Sequence, residues 1–575
     1  MQKVDFNNLP AASARRFVPL RADLTDKEVV VGLLNALLQR EIASAEMFEA
    51  WILDNSEFSA ALSQAGSILY IEMTCATDDP AKAGAYQSFV ENVEPAVKPL
   101  SDELNKKFLA LADRFPLDRK RYEVSLRAAR AEVALYVEKN VPLQTAVALL
   151  SQEYQVVSGA MTVDFAGQER TVPEMGKFLL LTDRAIREQA WRATAARRLQ
   201  DQGRFEEIFD KMRSLRQQIA VNAGCANFRD YMFKAYHRFD YTPEDCKAYQ
   251  RAIKSIVVPI RREIDLRRKK DMGLDVLKPW DSAVDPLGRE PLEPFKGADR
   301  LVAGVEKIFG NLDPALAELF RDMKKQGLLD LESRKGKAPG GYQNTLNEAR
   351  KPFIFMNAVG VDDDVRTLLH ESGHAFHAYL SAHDPLVEYR HAPMEFCEVA
   401  SMSMELMADG FMGEFYSSVD AGRSSVELLE GIVSTLAWVA TIDAFQHWLY
   451  ENPEHTAAMR RSAWIGFNNE FGGGVVDWSG LDEERAYLWH RQLHIFEVPF
   501  YYIEYGIAQL GALQLWARFK DSPAEAVAYY KKGLALGGAR PLPELFSAAG
   551  IRFDFSEEII APLINKLYQQ WSARL

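Results

Sequence analysis

Between residues 25 and 150, apolar positions recur at intervals of three and four, as in VVVGLLNALLQREIASAEMFEAWIL and RAEVALYVEKNVPLQTAVALL. Apolar residues at that spacing share one face of an α-helix, so this part of the chain reads as helix after helix, a bundle or stacked hairpins. The pattern changes at 156–172. There VVSGAMTVDFAGQERTV sets β-branched residues on both sides of an Ala-Gly-Gln turn and predicts a small hairpin. Helical spacing returns at TDRAIREQAWRATAARR, where Thr182 can cap the helix and Arg187 and Arg192 fall on its polar face. Residues 275–300, with four prolines, and 334–352 carry no sustained apolar repeat and read as loops. PFIFMN, 352–357, is a short strand-like run, either an edge strand able to pair with an extended peptide or a plain structural strand. Beyond Gly360 lies another helix, capped by Asp362, Asp363 or Asp364 and ended by Asp384-Pro385.

The pattern implies a mainly α fold with small β elements. We divide it into an N-terminal helical domain, 1–180, with the hairpin near its end, and a second domain, 181–575. A chain of 575 residues exceeds what one core organises. The net charge of -13 argues against nucleic acid, whose non-specific binding is a Lys/Arg effect. The one basic run, from Arg261 to Lys270, is interrupted by Glu263 and Asp265 and reads as a solvated helix face. Four cysteines without a CxxC pair suit a reducing compartment, and the first residues hold no apolar stretch of signal-peptide length, so the expected location is cytoplasmic. The best membrane candidate, GIVSTLAWVATIDAF at 431–445, is short and broken by Asp443; it reads as a buried core helix, and no membrane partner is expected.

Nine of the ten histidines lie between His370 and His494. Within LLHESGHAFHAYL, His370-Glu371-Ser372-Gly373-His374 is an HExxH motif. Four residues advance a helix by roughly 6 Å and about one turn, so two imidazoles grip a single ion from one side, and zinc is the metal this donor pair favours. Glu371 is rotated by roughly 100° from His370 and can reach a zinc-bound water without becoming a ligand, as a general base must. His377 lies roughly 10 Å along the axis from His370, too far to share the ion; it is either a donor behind the ligands or a packed histidine. A hydrolytic site needs a third ligand and one open position. Glu398, in APMEFCEVASMSMELMADG, is the best candidate, with Ala400, Ser401 and Ser403 keeping that helix slim and Glu405, seven residues on, placed to orient a ligand histidine. His490 and His494 form another i, i+4 pair that could in isolation hold a second ion, although Arg491 stands where a glutamate would follow.

HESGHAFH followed by FCEVAS resembles the thimet oligopeptidase and oligoendopeptidase F family of zinc metallopeptidases. The resemblance covers roughly 180–570 and is supported by GYQNTLNEARKPFIFMN, DYTPED at 240–245, KPWD at 278–281 and HIFEVPFYYIEYGIAQLGA. It implies one zinc ion on His370, His374 and Glu398, with Glu371 as base. It also implies that His494, Tyr502 and Tyr505 face the metal across a cleft, with Tyr501 competing for one of those places. Ser372 stands where relatives often carry an aromatic or aliphatic residue, a departure that bears on packing and not on zinc. The implied fold is a mainly α, two-lobed peptidase with a deep channel, residues 181–575 forming the catalytic domain. The implied function is zinc-dependent endopeptidase cleavage of short unstructured peptides. The alternatives are a zinc exopeptidase on the same scaffold and a non-catalytic peptide-binding protein with a structural zinc. Oligomeric state is left open.

Overall fold

The computed structural model describes residues 4–6 and 9–575. Helix accounts for 69% of the protein and strand for 4%, so the mainly α expectation holds. The chain forms two compact units, each assembled from three separated segments. The linear boundary at residue 180 coincides with neither, because helices distant in sequence close each core.

The first unit comprises Met1–Ala134, Leu292–Ser424 and Ala508–Phe553. Its N-terminal helices, Lys27–Gln39, Ala45–Cys75 and Glu94–Arg114, bury the apolar stripes read from the sequence: Val30, Leu34 and Leu37 meet Phe48, Trp51, Leu104 and Phe108. The polar ends are satisfied as well. Lys107 Nζ donates to the carbonyls of Leu37, Leu38 and Arg40 at 2.9, 2.8 and 2.6 Å, closing the C-terminus of the first helix with a cation where the helix dipole is negative.

A three-stranded sheet lies in the same unit: β3 (Leu329–Glu332), β4 (Tyr342–Leu346) and β5 (Lys351–Ala358), after the hairpin strands β1 (Thr162–Phe165) and β2 (Gln168–Thr171) of the other unit. The order is β3-β5-β4, with β3 parallel and β4 antiparallel to β5, so Ile354 faces both Leu329 and Gln343. PFIFMN is therefore the central strand, which corrects the edge-strand reading. The run Pro352–Met356 is buried on both faces, the signature of a strand with neighbours on each side. The edges are β3 and β4, and residues 342–345 of β4 are half-buried.

The second unit comprises Leu135–Pro291, Ser425–Ile507 and Asp554–Leu575. The expected hairpin is present at β1 and β2; Ala166 (φ 52°) and Gly167 (φ 77°) make the two-residue turn, both in the left-handed region that matches strand twist. Arg187 is not on a polar face. It is 2% exposed, and its guanidinium reaches Asp281 Oδ1 at 3.0 Å and the carbonyls of Leu181, Thr182 and Trp280, while Arg184 also binds Asp281. The KPWD stretch thus supplies the counter-charge that lets an arginine lie inside. The cap of that helix is Asp183, not Thr182. The apolar segment around 431–445 belongs to a helix of 34 residues, Ser418–Glu451, long and apolar enough to cross a membrane; 67% of its apolar window is buried inside the protein.

Candidate metal centre and active site

The HExxH motif lies on the helix Asp362–Ser381, which packs against β4 and β5. Of the three aspartates offered as caps, Asp364 secures the entry: its Oδ2 accepts the amides of Val359, Gly360 and Val361 at 2.8, 2.7 and 3.0 Å. Val365, Leu368, Leu369, Ala375 and Phe376 are buried, which fixes the helix's rotation and sets His370 and His374 together on another face. Their rings lie 5.0 Å apart in an edge-to-face arrangement.

The helix Met394–Ala408 lies against this one, and the reason it comes so close is Gly373 inside the motif. A Cβ at that position would stand 2.6 Å from Ala400 O and Ser401 Cα. Small residues on the second helix therefore meet a glycine on the first. Tyr530 Oη donates to Ala400 O at 2.9 Å and pins the same point of the backbone. One turn before, Glu398 Oε2 lies 3.3 Å from His370 Nε2 and 3.7 Å from His374 Nε2. Ligand atoms about 2.0–2.1 Å from a tetrahedral zinc ion are about 3.4 Å from one another. Both carboxylate-to-imidazole separations are within about 0.3 Å of that spacing and all three ligand atoms lie within 4.8 Å of one another, a donor set that fits one zinc ion.

The residues behind the ligands are equally defined. Glu405 Oε1 sits 2.7 Å from His370 Nδ1, so the ring's proton belongs there and Nε2 keeps its lone pair for a metal. Ser401 Oγ donates to Glu398 Oε2 at 2.9 Å. His377 is 4% exposed, packs edge-on against Phe396, and among the described residues its Nε2 has no hydrogen-bond partner. Ser372, the departure from the family pattern, donates to Leu368 O at 2.6 Å and is fully buried, which satisfies its hydroxyl inside the helix.

Charge follows this geometry. Burial alone would raise the Glu398 carboxyl, but the two histidines outweigh it and hold it at about 2. Burial lowers His370, yet the hydrogen bonds to Glu398 and Glu405 carry it well above the usual histidine value, so an ion taking the Nε2 lone pair would displace the proton shared there with Glu398. His374, with burial dominant, falls to about 4. Glu371 behaves oppositely to Glu398: burial lifts its carboxyl to about 7, opposed by His370 and by the backbone amide of Gln343 in β4. One carboxylate is thus kept charged to bind, and its neighbour is poised to exchange a proton near neutrality.

The remaining predicted residues belong to the second unit, where His494, Tyr502 and Tyr505 come together. The His494 ring is 4.8 Å from Tyr502 and 6.0 Å from Tyr505, and Tyr501 packs 5.4 Å from Tyr505. Gln492 was missed: its Nε2 donates to His494 Nδ1 at 2.7 Å, while Trp438 Nε1 donates to Gln492 Oε1 at 3.0 Å and fixes which way the amide faces. With Nδ1 accepting, the proton of neutral His494 sits on Nε2, and burial lowers this histidine to about 4, so it stays neutral. Also missed was the turn before the tyrosines. Phe500 has φ 68°, a strained value for a bulky residue, and is clamped by Gln446 Oε1 on its amide (2.6 Å) and Arg238 Nη2 on its carbonyl (2.6 Å). His490 is not available to a metal as the first of a pair, since its Nε2 lies 3.1 Å from Glu206 Oε1.

A helix-borne HExxH whose donors converge with a glutamate from the adjacent helix defines a metallopeptidase-type centre. In agreement, residues 178–563 match the model of peptidase family M3, and the chain belongs to that family. The chain is 24% identical to Oligopeptidase PepF of Bacillus subtilis (strain 168) over 260 residues, 43% of this chain and 37% of that protein. It is 24% identical to the Oligoendopeptidase F homolog of Borreliella burgdorferi over 319 residues, 52% of each. The matches thus span about a third to a half of these relatives' length. Among solved structures, PZ peptidase A with inhibitor 2 superposes with a TM-score of 0.87 at 29% identity, covering 97% of this chain and 99% of that one.

Proposed function

We propose that the protein is a zinc-dependent endopeptidase that cleaves short unstructured peptides, with one ion on His370, His374 and Glu398 and with Glu371 as general base. The observation that carries this reading is the convergence of three donor atoms at zinc-like separations beside a carboxyl whose burial brings it to about 7. When bound there, zinc supplies Lewis-acid polarisation of a water and of the scissile carbonyl. Glu371 takes the proton of the attacking water and returns it to the leaving amine, a shuttle that works best when the carboxyl titrates near the working pH. Among the described residues no strand pairs with the outer edge of β4, and the Gln343 amide on that strand reaches Glu371, so an extended peptide pairing along β4 would lie beside the base. His494 Nε2–H and the hydroxyls of Tyr502 and Tyr505 are our candidates for donors to the carbonyl oxygen as it gains charge; one such donor is worth about 3 kcal/mol. We place the activity in the cytoplasm, in keeping with four cysteines that form no disulfide.

The test is digestion of a defined peptide mixture, with free and blocked termini, by native protein and by Glu371→Gln at equal zinc content. Internal cleavage that tolerates both blocks, and that falls by about a hundredfold or more in the variant, is expected. Full activity in Glu371→Gln would remove the base; cleavage only from unblocked ends would make the protein an exopeptidase. No cleavage by the native chain would leave a peptide binder.

A further inference from the structure

Away from the HExxH centre, the second unit contains another convergence of metal-type donors. Cys246, on the helix Pro243–Ala252, meets Asp443 and His447, which stand four residues apart on Ser418–Glu451. The three side chains offer ligand atoms within 4.8 Å of one another, and Asp443 Oδ2 is 3.6 Å from His447 Nε2, close to the separation expected around a tetrahedral ion. Their exposures are 0%, 0% and 2%.

Two of these residues are poorly satisfied for groups so deep. Among the described residues, Asp443 Oδ1 and both ring nitrogens of His447 have no hydrogen-bond partner, and Asp443 Oδ2 accepts from Gln250 Nε2 at 2.7 Å. Buried polar atoms of native proteins are almost always paired, and a buried carboxylate without a nearby counter-charge is costly. Arg238, the cation that acts on Asp443, is engaged with Glu504 at 2.7 Å and with the carbonyl of Phe500. Arg229 and Lys247, which disfavour the charged form of His447, both bind Glu451.

We propose that Cys246, Asp443 and His447 hold a second divalent cation of the zinc type, structural in role. Binding takes the thiol proton to solvent, and the thiolate and carboxylate then cancel the charge of the ion while His447 contributes a neutral nitrogen. Sulfur, nitrogen and oxygen donors together suit zinc or cobalt and not magnesium or calcium. The site also has a place in the architecture. The His447 ring packs edge-on against Phe500 at 5.5 Å, and the adjacent Gln446 holds the Phe500 amide, so the ion steadies the strained turn that leads into Tyr501 and Tyr502.

The catalytic centre proposed above contains no sulfur, which lets the two sites be told apart. A fully buried site fills as the chain folds, so the full-length protein is expressed with zinc, or with Co2+ as the optical probe. Zinc analysis is expected to give two equivalents in the native protein and one in each of Cys246→Ser and the double variant His370→Ala/His374→Ala. The cobalt protein is expected to show a thiolate-to-cobalt charge-transfer band. That band should persist in His370→Ala/His374→Ala and in Cys397→Ser, the thiol next to Glu398, and vanish in Cys246→Ser. One equivalent in the native protein, none in the double histidine variant and no thiolate band would overturn the proposal and leave a metal-free polar triad. If Cys246→Ser does not fold, the metal count and the band in the native, double-histidine and Cys397→Ser proteins decide the matter. Loss of peptidase activity alone bears on the other site.

Discussion

Replacing Gly373 by alanine tests how closely the metal centre depends on one missing side chain. The added Cβ would stand 2.6 Å from two backbone atoms, Ala400 O and Ser401 Cα, where ordinary contact begins at about 3.4 Å. Neither atom can rotate away, so the helix Met394–Ala408 must retreat by about 0.8 Å. Glu398 rides on that helix three residues before Ser401, and zinc sites hold their ligand distances to within about 0.2 Å. The displacement is several times that tolerance. Overpacking of this kind costs about 1–3 kcal/mol, and the better helix propensity of alanine returns at most about 1 kcal/mol, so the strain wins. We expect zinc affinity, measured by competition with a chelator, to fall at least tenfold, or about 1.4 kcal/mol, together with a lowered melting temperature. Gly431→Ala is the control: nothing lies within 4 Å of its Cβ, so only the propensity term acts and stability should hold or rise. A Gly373→Ala protein with native zinc affinity and native melting temperature would refute the close-approach argument.

Three further outcomes follow from the same geometry. Glu405→Ala removes the partner of His370 Nδ1 and should weaken zinc binding about 10- to 100-fold in the same competition assay; unchanged affinity would show that the ring needs no orienting carboxylate. Gln492→Leu leaves the zinc ligands untouched but frees the His494 ring, so kcat/KM on a quenched peptide should drop about tenfold or more at constant zinc content; an unaltered value would take His494 out of the reaction. Asp281→Ala leaves Arg187 buried without its carboxylate and should cost about 3–5 kcal/mol at neutral pH by thermal or urea unfolding. Burial raises the Asp281 carboxyl, but Arg184, the Lys278 amide and Arg187 hold it below its ordinary value. The stabilisation is therefore complete above the unfolded carboxylate pKa of about 3.9 and lost as pH falls through the lower folded value, so the gap between native protein and variant should narrow progressively as the pH is taken below that unfolded value; a gap that does not narrow there would contradict the assignment.

What could be read from the sequence is what is local or periodic. The HExxH pair follows from helical spacing alone, and Glu371 from its rotation relative to His370. The hairpin at 162–171 was visible because a turn and its flanking β-branched residues are adjacent. PFIFMN is recognisable as a strand, but a run that short is compatible with an edge or a plain structural strand; the structure makes it central, with the polar-rich Tyr342–Leu346 as one of the two edges. Arg187 looked solvent-facing because its counter-ion lies 94 residues away. The supports of the second cluster were out of reach for the same reason: Trp438 is 54 residues from Gln492, and Arg238 is 262 from Phe500. Gly373 stood inside the motif from the start, but its meaning required knowing which backbone faces it.

The most direct measurement is an anomalous-difference map from crystals of the native protein, collected above and below the zinc absorption edge. The account predicts a peak about 2.0–2.2 Å from His370 Nε2, His374 Nε2 and an oxygen of Glu398, with the Glu371 carboxylate nearby but outside the coordination shell. Density with no edge-dependent signal between those three residues, or an ion ligated by Glu371 itself, would contradict it.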